Sequence, residues 1–231
     1  MENQNIETTT KIGAYTALIG ALCMLAGATF WGISGADLEK ALYNGDIANY
    51  LINAQENYTL VIANLSIWII GVTLIGIAGT MMVKLCVQRQ AISTIAMYIY
   101  WIALPLVIAS YVAMLTVVVQ LSPDISEATV SIAGAMGWFG TRVDWIATIF
   151  MLGIGPALIS VAGRGDWVPN WLARWGFLAL FASLLTAVAM FMGGLTTYGF
   201  LIVPVGLSWT IAASIVLFRR IGKPPENVIA Q

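Results

Sequence analysis

The stretch Thr59–Val83, TLVIANLSIWIIGVTLIGIAGTMMV, decides the fold class, because it contains no charged residue and is followed directly by Lys84. An α-helix rises about 1.5 Å per residue, so about 20 apolar residues cross the ~30 Å of hydrocarbon in a bilayer. In hydrocarbon, a helix satisfies all of its backbone hydrogen-bonding groups within a single segment. Thr59–Val83 therefore predicts a transmembrane helix.

The composition extends this prediction to the whole chain. Hydrophobic residues make up 60% of the 231 residues and charged residues only 9%, whereas about a quarter of a soluble domain is charged. We therefore predict one all-α domain over residues 1–231, a polytopic transmembrane helical bundle. Its apolar stretches predict about six spans, over residues 12–34, 59–83, 91–121, 143–162, 176–192 and 199–218.

The segments between the apolar stretches are polar. Residues 35–58 predict an outer amphipathic segment that is broken near Asn44–Gly45, and residues 122–134 predict a second polar connection. Pro105 and Pro156 predict bends in the third and fourth spans. The proline-containing segment 221–231 predicts a disordered tail.

The basic residues sort to one side of this topology. Two of the ten, Lys40 and Arg142, fall on the opposite side from the rest. Cytoplasmic loops of membrane proteins are enriched in lysine and arginine, so both termini are predicted to be cytoplasmic. The residues on the predicted cytoplasmic side are Lys11, Lys84, Arg89, Arg164, Arg174, Arg219, Arg220 and Lys223.

Several functions are disfavoured by what the sequence lacks. It contains no histidine, so imidazole cannot bind haem or a metal ion or serve in a Ser-His dyad. A net charge of −1 without a basic stripe argues against a nucleic-acid partner. Because no group of residues resembles an acid, a base and a nucleophile together, we predict no catalytic residues, no metal and no cofactor: a non-enzymatic protein.

Polar side chains concentrate in the predicted outer half, where Asn64, Tyr111, Arg142 and Asp144 form a hypothetical ligand-binding site. Ionisable groups in a membrane are costly and mark candidate functional sites. Counting back about 20 residues from Arg164 places Asp144 ~30 Å away, at the outer boundary. The i,i+2 spacing of Arg142 and Asp144 predicts different partners for the two side chains. Interhelical hydrogen bonds, a snorkelling arginine and a helix-start aspartate are the alternative interpretation.

Two functions are compatible with these features. In the first, the chain is an accessory or interaction subunit of a membrane assembly, in contact with lipid and with other subunits or a second copy of itself. The small residues Gly13, Ala17, Gly20 and Gly27 favour it, because they let another helix approach closely. In the alternative, the chain is a transporter, channel or receptor for a small solute, an ion or a lipid, with an outward-facing polar vestibule.

Two short motifs carry a resemblance to a known family. The segments VPNWLARWG at 168–176 and VPVGLSW at 203–209 resemble a family of uncharacterised bacterial six-span inner-membrane proteins, a domain of unknown function. The resemblance covers roughly residues 12 to 220 and departs from the family pattern between Asp37 and Glu56. It implies a location in the bacterial inner membrane and brings no established catalytic residues.

Overall fold

The computed structural model describes residues 2–192 and 195–222, which form α-helices joined by short turns. Within these residues there is no β-strand, and the predicted all-α helical bundle is confirmed. The predicted tail falls, from residue 223 onward, outside the described residues. The helices are α1 (Glu2–Ser34), α2 (Leu38–Asn44), α3 (Ile47–Glu56), α4 (Tyr58–Lys84), α5 (Gln90–Thr116), α6 (Glu127–Thr148), α7 (Gly155–Ala162), α8 (Asn170–Ala189), α9 (Thr196–Gly199) and α10 (Ile202–Phe218).

The chain is a multi-pass membrane protein by the length and composition of its helices. Five helical stretches are long and apolar enough to cross a bilayer, whereas α10 is apolar but only 17 residues long. The count of six spans and the cytoplasmic position of the termini stay predictions. The five stretches are Gln4–Ser34, Tyr58–Lys84, Gln90–Leu121, Glu127–Ala162 and Asn170–Ala189.

The fourth stretch differs from the sequence-based expectation, because its helix begins at Glu127 rather than near residue 143. The Ser126 hydroxyl accepts a hydrogen bond from the Thr129 backbone N–H, and Glu127 places a negative charge in the first turn, so this start is well capped. Two glycines in the part of this helix that precedes the expected span are contact points with neighbouring helices. A Cβ on Gly137 would lie 3.2 Å from Leu42, and one on Gly140 would lie 3.3 Å from Met114.

Two π-helical segments interrupt the long helices. Val117–Leu121 continues α5, and Ile149–Ile154 joins α6 to α7. The second ends just before Pro156, which lies in the first turn of α7. Pro105 lies inside α5.

The first and last helices pack together and close the bundle. α1 packs along α4 and also contacts α10, and the buried Ser214 hydroxyl of α10 donates a 2.8 Å hydrogen bond to the Ala14 carbonyl of α1. α5 lies between α4 and the pair α6–α7, while α8 packs on α7 and α10. Each of the long helices therefore has at least two helical neighbours.

The small-residue face of α1 is filled by other helices of the same chain. A Cβ on Gly20 would lie 2.9 Å from the Gly71 carbonyl oxygen of α4, and one on Gly27 would collide with the Trp68 ring. A Cβ on Gly13 would lie 3.3 Å from Met81. The close approach that these glycines permit is thus used inside the bundle.

The two ends of the bundle are built differently. At one end, α2 and α3 form a helical cap. The two helices are separated at Gly45, which follows the last residue of α2 and has the left-handed conformation (φ 68°). Leu38 and Leu42 of the cap face Gly137 of α6, and the Ser122 hydroxyl donates to Gln55 of the cap at 2.8 Å. We call this the cap end. The other end carries the turns 85–89 and 163–169, and we call it the loop end.

Candidate functional site

Charged side chains of the cap helix α2 and of α6 lie close together where the cap packs on the bundle. Trp138, Arg142 and Trp145 follow an i, i+4, i+7 spacing on α6, so they share one helical face. Glu39 and Tyr43, four residues apart on α2, lie against that face through direct contacts. Asp144 projects elsewhere from α6. We call Glu39, Arg142 and Asp144 the cap-end cluster.

The Arg142 guanidinium lies among aromatic rings. Its Cζ is 4.7 Å from the centroid of the Trp138 ring and 5.5 Å from that of Tyr43, distances at which a cation is attracted to the ring face. Nη2 donates a 2.7 Å hydrogen bond to the Tyr43 hydroxyl. Nη1 is buried and has no hydrogen-bond partner in the described structure. The guanidinium is therefore held in place with one donor group unused.

Glu39 is fixed beside Arg142 by a tryptophan. The indole Nε1 of Trp145 donates to Glu39 Oε1 at 2.9 Å, and Trp145 is itself only 6% exposed. Burial raises the pKa of Glu39 above its usual value, while the Trp145 hydrogen bond and the positive charge of Arg142 act in the opposite direction. Within the described residues Glu39 is not in ion-pair contact with Arg142, so each keeps a separate hydrogen-bond partner.

Asp144 faces α5 rather than the cap aromatics. Its carboxyl group interacts with the hydroxyl of Tyr111, a residue that is 3% exposed. The Asp144 oxygen Oδ1 is buried and has no hydrogen-bond partner in the described structure. Arg142 and Asp144 thus contact different groups, as their i,i+2 spacing predicts. Each leaves one buried polar atom unmatched, which is costly in a low-dielectric interior.

Asn64 does not join the cluster. Its side-chain amide is buried and donates a 2.8 Å hydrogen bond to the Gly27 carbonyl of α1. One turn further on, Trp68 Nε1 donates to the Met24 carbonyl at 3.1 Å, and the Trp68 ring lies 5.7 Å from the Tyr111 ring. Asn64 therefore connects α4 to α1, and the Trp68–Tyr111 contact connects that junction to the Asp144 region.

Of the four residues predicted for the site, the structure brings Tyr111 and Asp144 into contact and places Arg142 on the adjoining face of α6. The sequence-based site lacked Glu39, Tyr43, Trp138 and Trp145. The i, i+4, i+7 spacing of Trp138, Arg142 and Trp145 was the available signal for the two tryptophans. No local pattern reveals Glu39 or Tyr43, because they reach Arg142 from about 100 residues away in the chain.

The described residues include no group of three or more acidic or cysteine side chains placed to hold a metal ion. The cap itself carries a small open depression on its outer surface, between α2 and α3. Its polar lining includes Asp37, Lys40, Asn44 and Asn49. Asp37 and Asn49 are already engaged in local hydrogen bonds of the cap.

Comparisons with known proteins identify no relative of this chain. No protein-family model, no curated protein and no solved structure matches the chain. The resemblance to a bacterial six-span family therefore stays a prediction that rests on the two short motifs.

Proposed function

We propose that this chain is a membrane receptor or transporter that binds a small polar solute at the cap-end cluster. The observation that carries the proposal is the buried, unpartnered Nη1 of Arg142, which lies on the same helix as the buried, unpartnered Oδ1 of Asp144. Buried polar groups nearly always have partners, and those without one need an explanation. A solute that reaches Arg142 would supply the hydrogen bond that Nη1 lacks.

The arrangement of the cluster supports a role of Arg142 in binding a solute rather than in anchoring the helix at the membrane surface. A snorkelling arginine extends toward water, whereas the Arg142 guanidinium is covered by Trp138 and Tyr43 and has one buried donor. Aromatic walls with a few convergent polar groups are typical of sites for small molecules. Arg142 is the group that we expect to bind an anionic or strongly polar part of the solute, with Tyr43 and Trp138 fixing the position of its guanidinium.

The small-residue face of the first span gives the accessory-subunit function no particular support, because Gly20 and Gly27 of that face pack on Gly71 and Trp68 of α4. A second protein is not needed to explain those residues. The proposal of solute binding accordingly takes first place.

The charge sorting and the family resemblance support a location in the bacterial inner membrane, with the cap on the outer side and both termini in the cytoplasm. In this orientation the cap-end cluster is reached from outside the cell. Solute added to the outside of oriented vesicles is therefore the appropriate experimental arrangement.

The test is a thermal-unfolding screen of the purified full chain against a panel of small carboxylates, amines, zwitterions and sugars. A solute at 100 times its Kd stabilises the folded state by about 2.7 kcal/mol. We expect at least one class to raise the unfolding temperature of the wild type and to lose that effect in Arg142→Ala. Arg89→Ala at the loop end is the matched control and keeps the effect.

Two results would contradict the proposal. One is a panel in which no compound shifts the wild-type unfolding temperature. The other is a compound that shifts Arg142→Ala as much as the wild type, because its binding site would then lie elsewhere. A hit is followed by flux measurement in reconstituted vesicles, which separates a transporter from a receptor.

A further inference from the structure

Asp144 combines three properties that are seldom found together in a membrane protein. It lies on a helix long and apolar enough to span the bilayer, its Oδ1 is buried without a partner, and it makes no ion pair within the described residues. An isolated ionised carboxylate in such surroundings costs several kcal/mol or more. A single proton removes that cost by making the group neutral.

The groups that face Asp144 do not neutralise it. From α5 the facing group is the uncharged Tyr111 hydroxyl, and from α2 it is Glu39, which carries the same sign of charge as Asp144. Arg142, two residues away on α6, points toward Tyr43 and Trp138 instead. No cationic side chain of the described residues therefore contacts Asp144.

The position of Asp144 gives a proton a route from one side. The residue lies 18 positions before Ala162, the loop-end terminus of its helix, which corresponds to ~27 Å along the axis. That distance places it close to the cap end of a ~30 Å hydrocarbon layer. Glu39 belongs to the cap helix α2 and therefore lies on the cap-end side of Asp144, and a carboxyl group can pass a proton by hydrogen bonding.

We propose that Asp144 is a reversible proton-binding site that exchanges with the cap end. The step is an O–H bond formed between a proton from cap-side water and a carboxylate oxygen of Asp144, and the reverse step returns the proton to the same side. A proton needs no cavity, so the site works in the closed packing that the structure has. The linkage of this proton to a solute at Arg142 rests on the proposed function, but the proton site itself does not.

The experiment is an infrared pH titration of the full chain in phosphatidylcholine vesicles, with protons as the probe and no solute present. We expect the carbonyl-stretch band of a protonated carboxylic acid at low pH and its loss as the pH rises. The contribution of Asp144 is the part of this band that shifts in protein made with ¹³C-labelled aspartate and that is missing from Asp144→Asn. Asp124→Asn, which alters an exposed aspartate, is the matched control and retains the Asp144 contribution.

Asp144→Glu provides the assignment if Asp144→Asn does not fold, because it keeps a carboxyl group while removing the isotope label from this position. An Asp144 band that is unchanged over the whole pH range would overturn the proposal, since the group would then be permanently neutral. Absence of any Asp144 band at low pH would overturn it as well, since the group would be permanently ionised. Neither result bears on the solute screen, so the two proposals fail separately.

Discussion

The loop end and the cap end of the bundle both carry charged residues, but they use them in opposite ways. At the loop end, Asp166 Oδ2 accepts from the Gln88 backbone N–H at 3.1 Å, and Arg89 Nη1 donates to the Val161 carbonyl at 2.8 Å. Arg220 Nη1 donates to the Asp166 carbonyl at 2.8 Å. At the cap end, Arg142 and Asp144 each keep a buried atom without a partner.

Uncharged polar groups follow the contrast only in part. At the loop end, Trp167 Nε1 donates to the sulfur of Cys86, and burial raises the pKa of this thiol to about 12. The nearby Ser160 Oγ and Trp175 Nε1, however, are buried without a hydrogen-bond partner in the described structure. The contrast between the ends therefore concerns the charged groups, which are the costlier ones to leave unmatched, and for this reason the candidate site belongs to the cap end.

The largest effect on stability is expected from placing a side chain in the close contact between α7 and α8 near the loop end. A Cβ on Gly176 would lie 2.9 Å from the Pro156 carbonyl oxygen, a backbone atom, and still closer to the Ser160 side chain. Gly176→Leu should therefore destabilise the fold by on the order of 3 kcal/mol, because α8 must move away from α7. Thermal unfolding in detergent, followed by tryptophan fluorescence, measures the change.

Gly32→Leu in α1 is the control for this substitution, since a Cβ there would meet nothing within 4 Å. It should leave the unfolding temperature close to that of the wild type. Equal destabilisation by both substitutions would mean that helix propensity, and not the α7–α8 contact, is responsible.

A pair of aspartate substitutions compares the two ends directly. Asp166→Leu removes an acceptor from the Gln88 N–H and should cost about 1 kcal/mol. Asp144→Leu removes a carboxyl whose Oδ1 has no partner, which favours the folded state, but it also removes the group that interacts with the buried Tyr111 hydroxyl, which disfavours it. The two effects oppose each other, so Asp144→Leu should lower the unfolding temperature less than Asp166→Leu does.

Asp144→Leu should also lose the proton site and, with it, any pH dependence of solute binding. A larger stability loss in Asp144→Leu than in Asp166→Leu would contradict the comparison, because the unmatched Oδ1 of Asp144 would then carry no cost in the folded state. Equal effects of the two leucine substitutions would erase the distinction between the ends.

The smallest effect concerns the pH dependence that Glu39 gives to folding. Because burial raises its pKa, the folded state keeps a proton at pH values where the unfolded chain has already lost it. Stability therefore falls as the pH rises from the usual glutamate value of 4.5 through the raised one, and then levels off. Glu39→Gln should remove this part of the slope, as measured by unfolding temperature against pH.

Glu56→Gln, at an exposed position in the cap, is the matched control and should keep the wild-type slope. A wild-type slope retained by Glu39→Gln would mean that Glu39 has the same proton affinity in the folded and unfolded states. The partial burial of Glu39 at the cap end would then have no effect on its protonation.

Part of the candidate site was readable from the sequence. Arg142 and Asp144 stand out because charges are rare in apolar helices, and their spacing correctly separates their partners. Tyr111 was expected beside them, and it lies against Asp144. Glu39 and Tyr43 could not be predicted, since their approach to α6 depends on how α2 folds back from Gly35 and Gly45, both at positive φ. Asn64 was expected in the site but bonds to Gly27 of α1 instead.

By itself, the sequence determined that this chain consists of apolar helices suited to a membrane. Helix formation depends on hydrogen bonds within one segment, and those are required wherever water is absent. Only the tertiary structure decided which helical faces meet: that α4 fills the glycine face of α1, that α6 begins at Glu127, and that Glu39 joins Arg142. Those outcomes depend on packing between segments far apart in the chain, which local sequence does not encode.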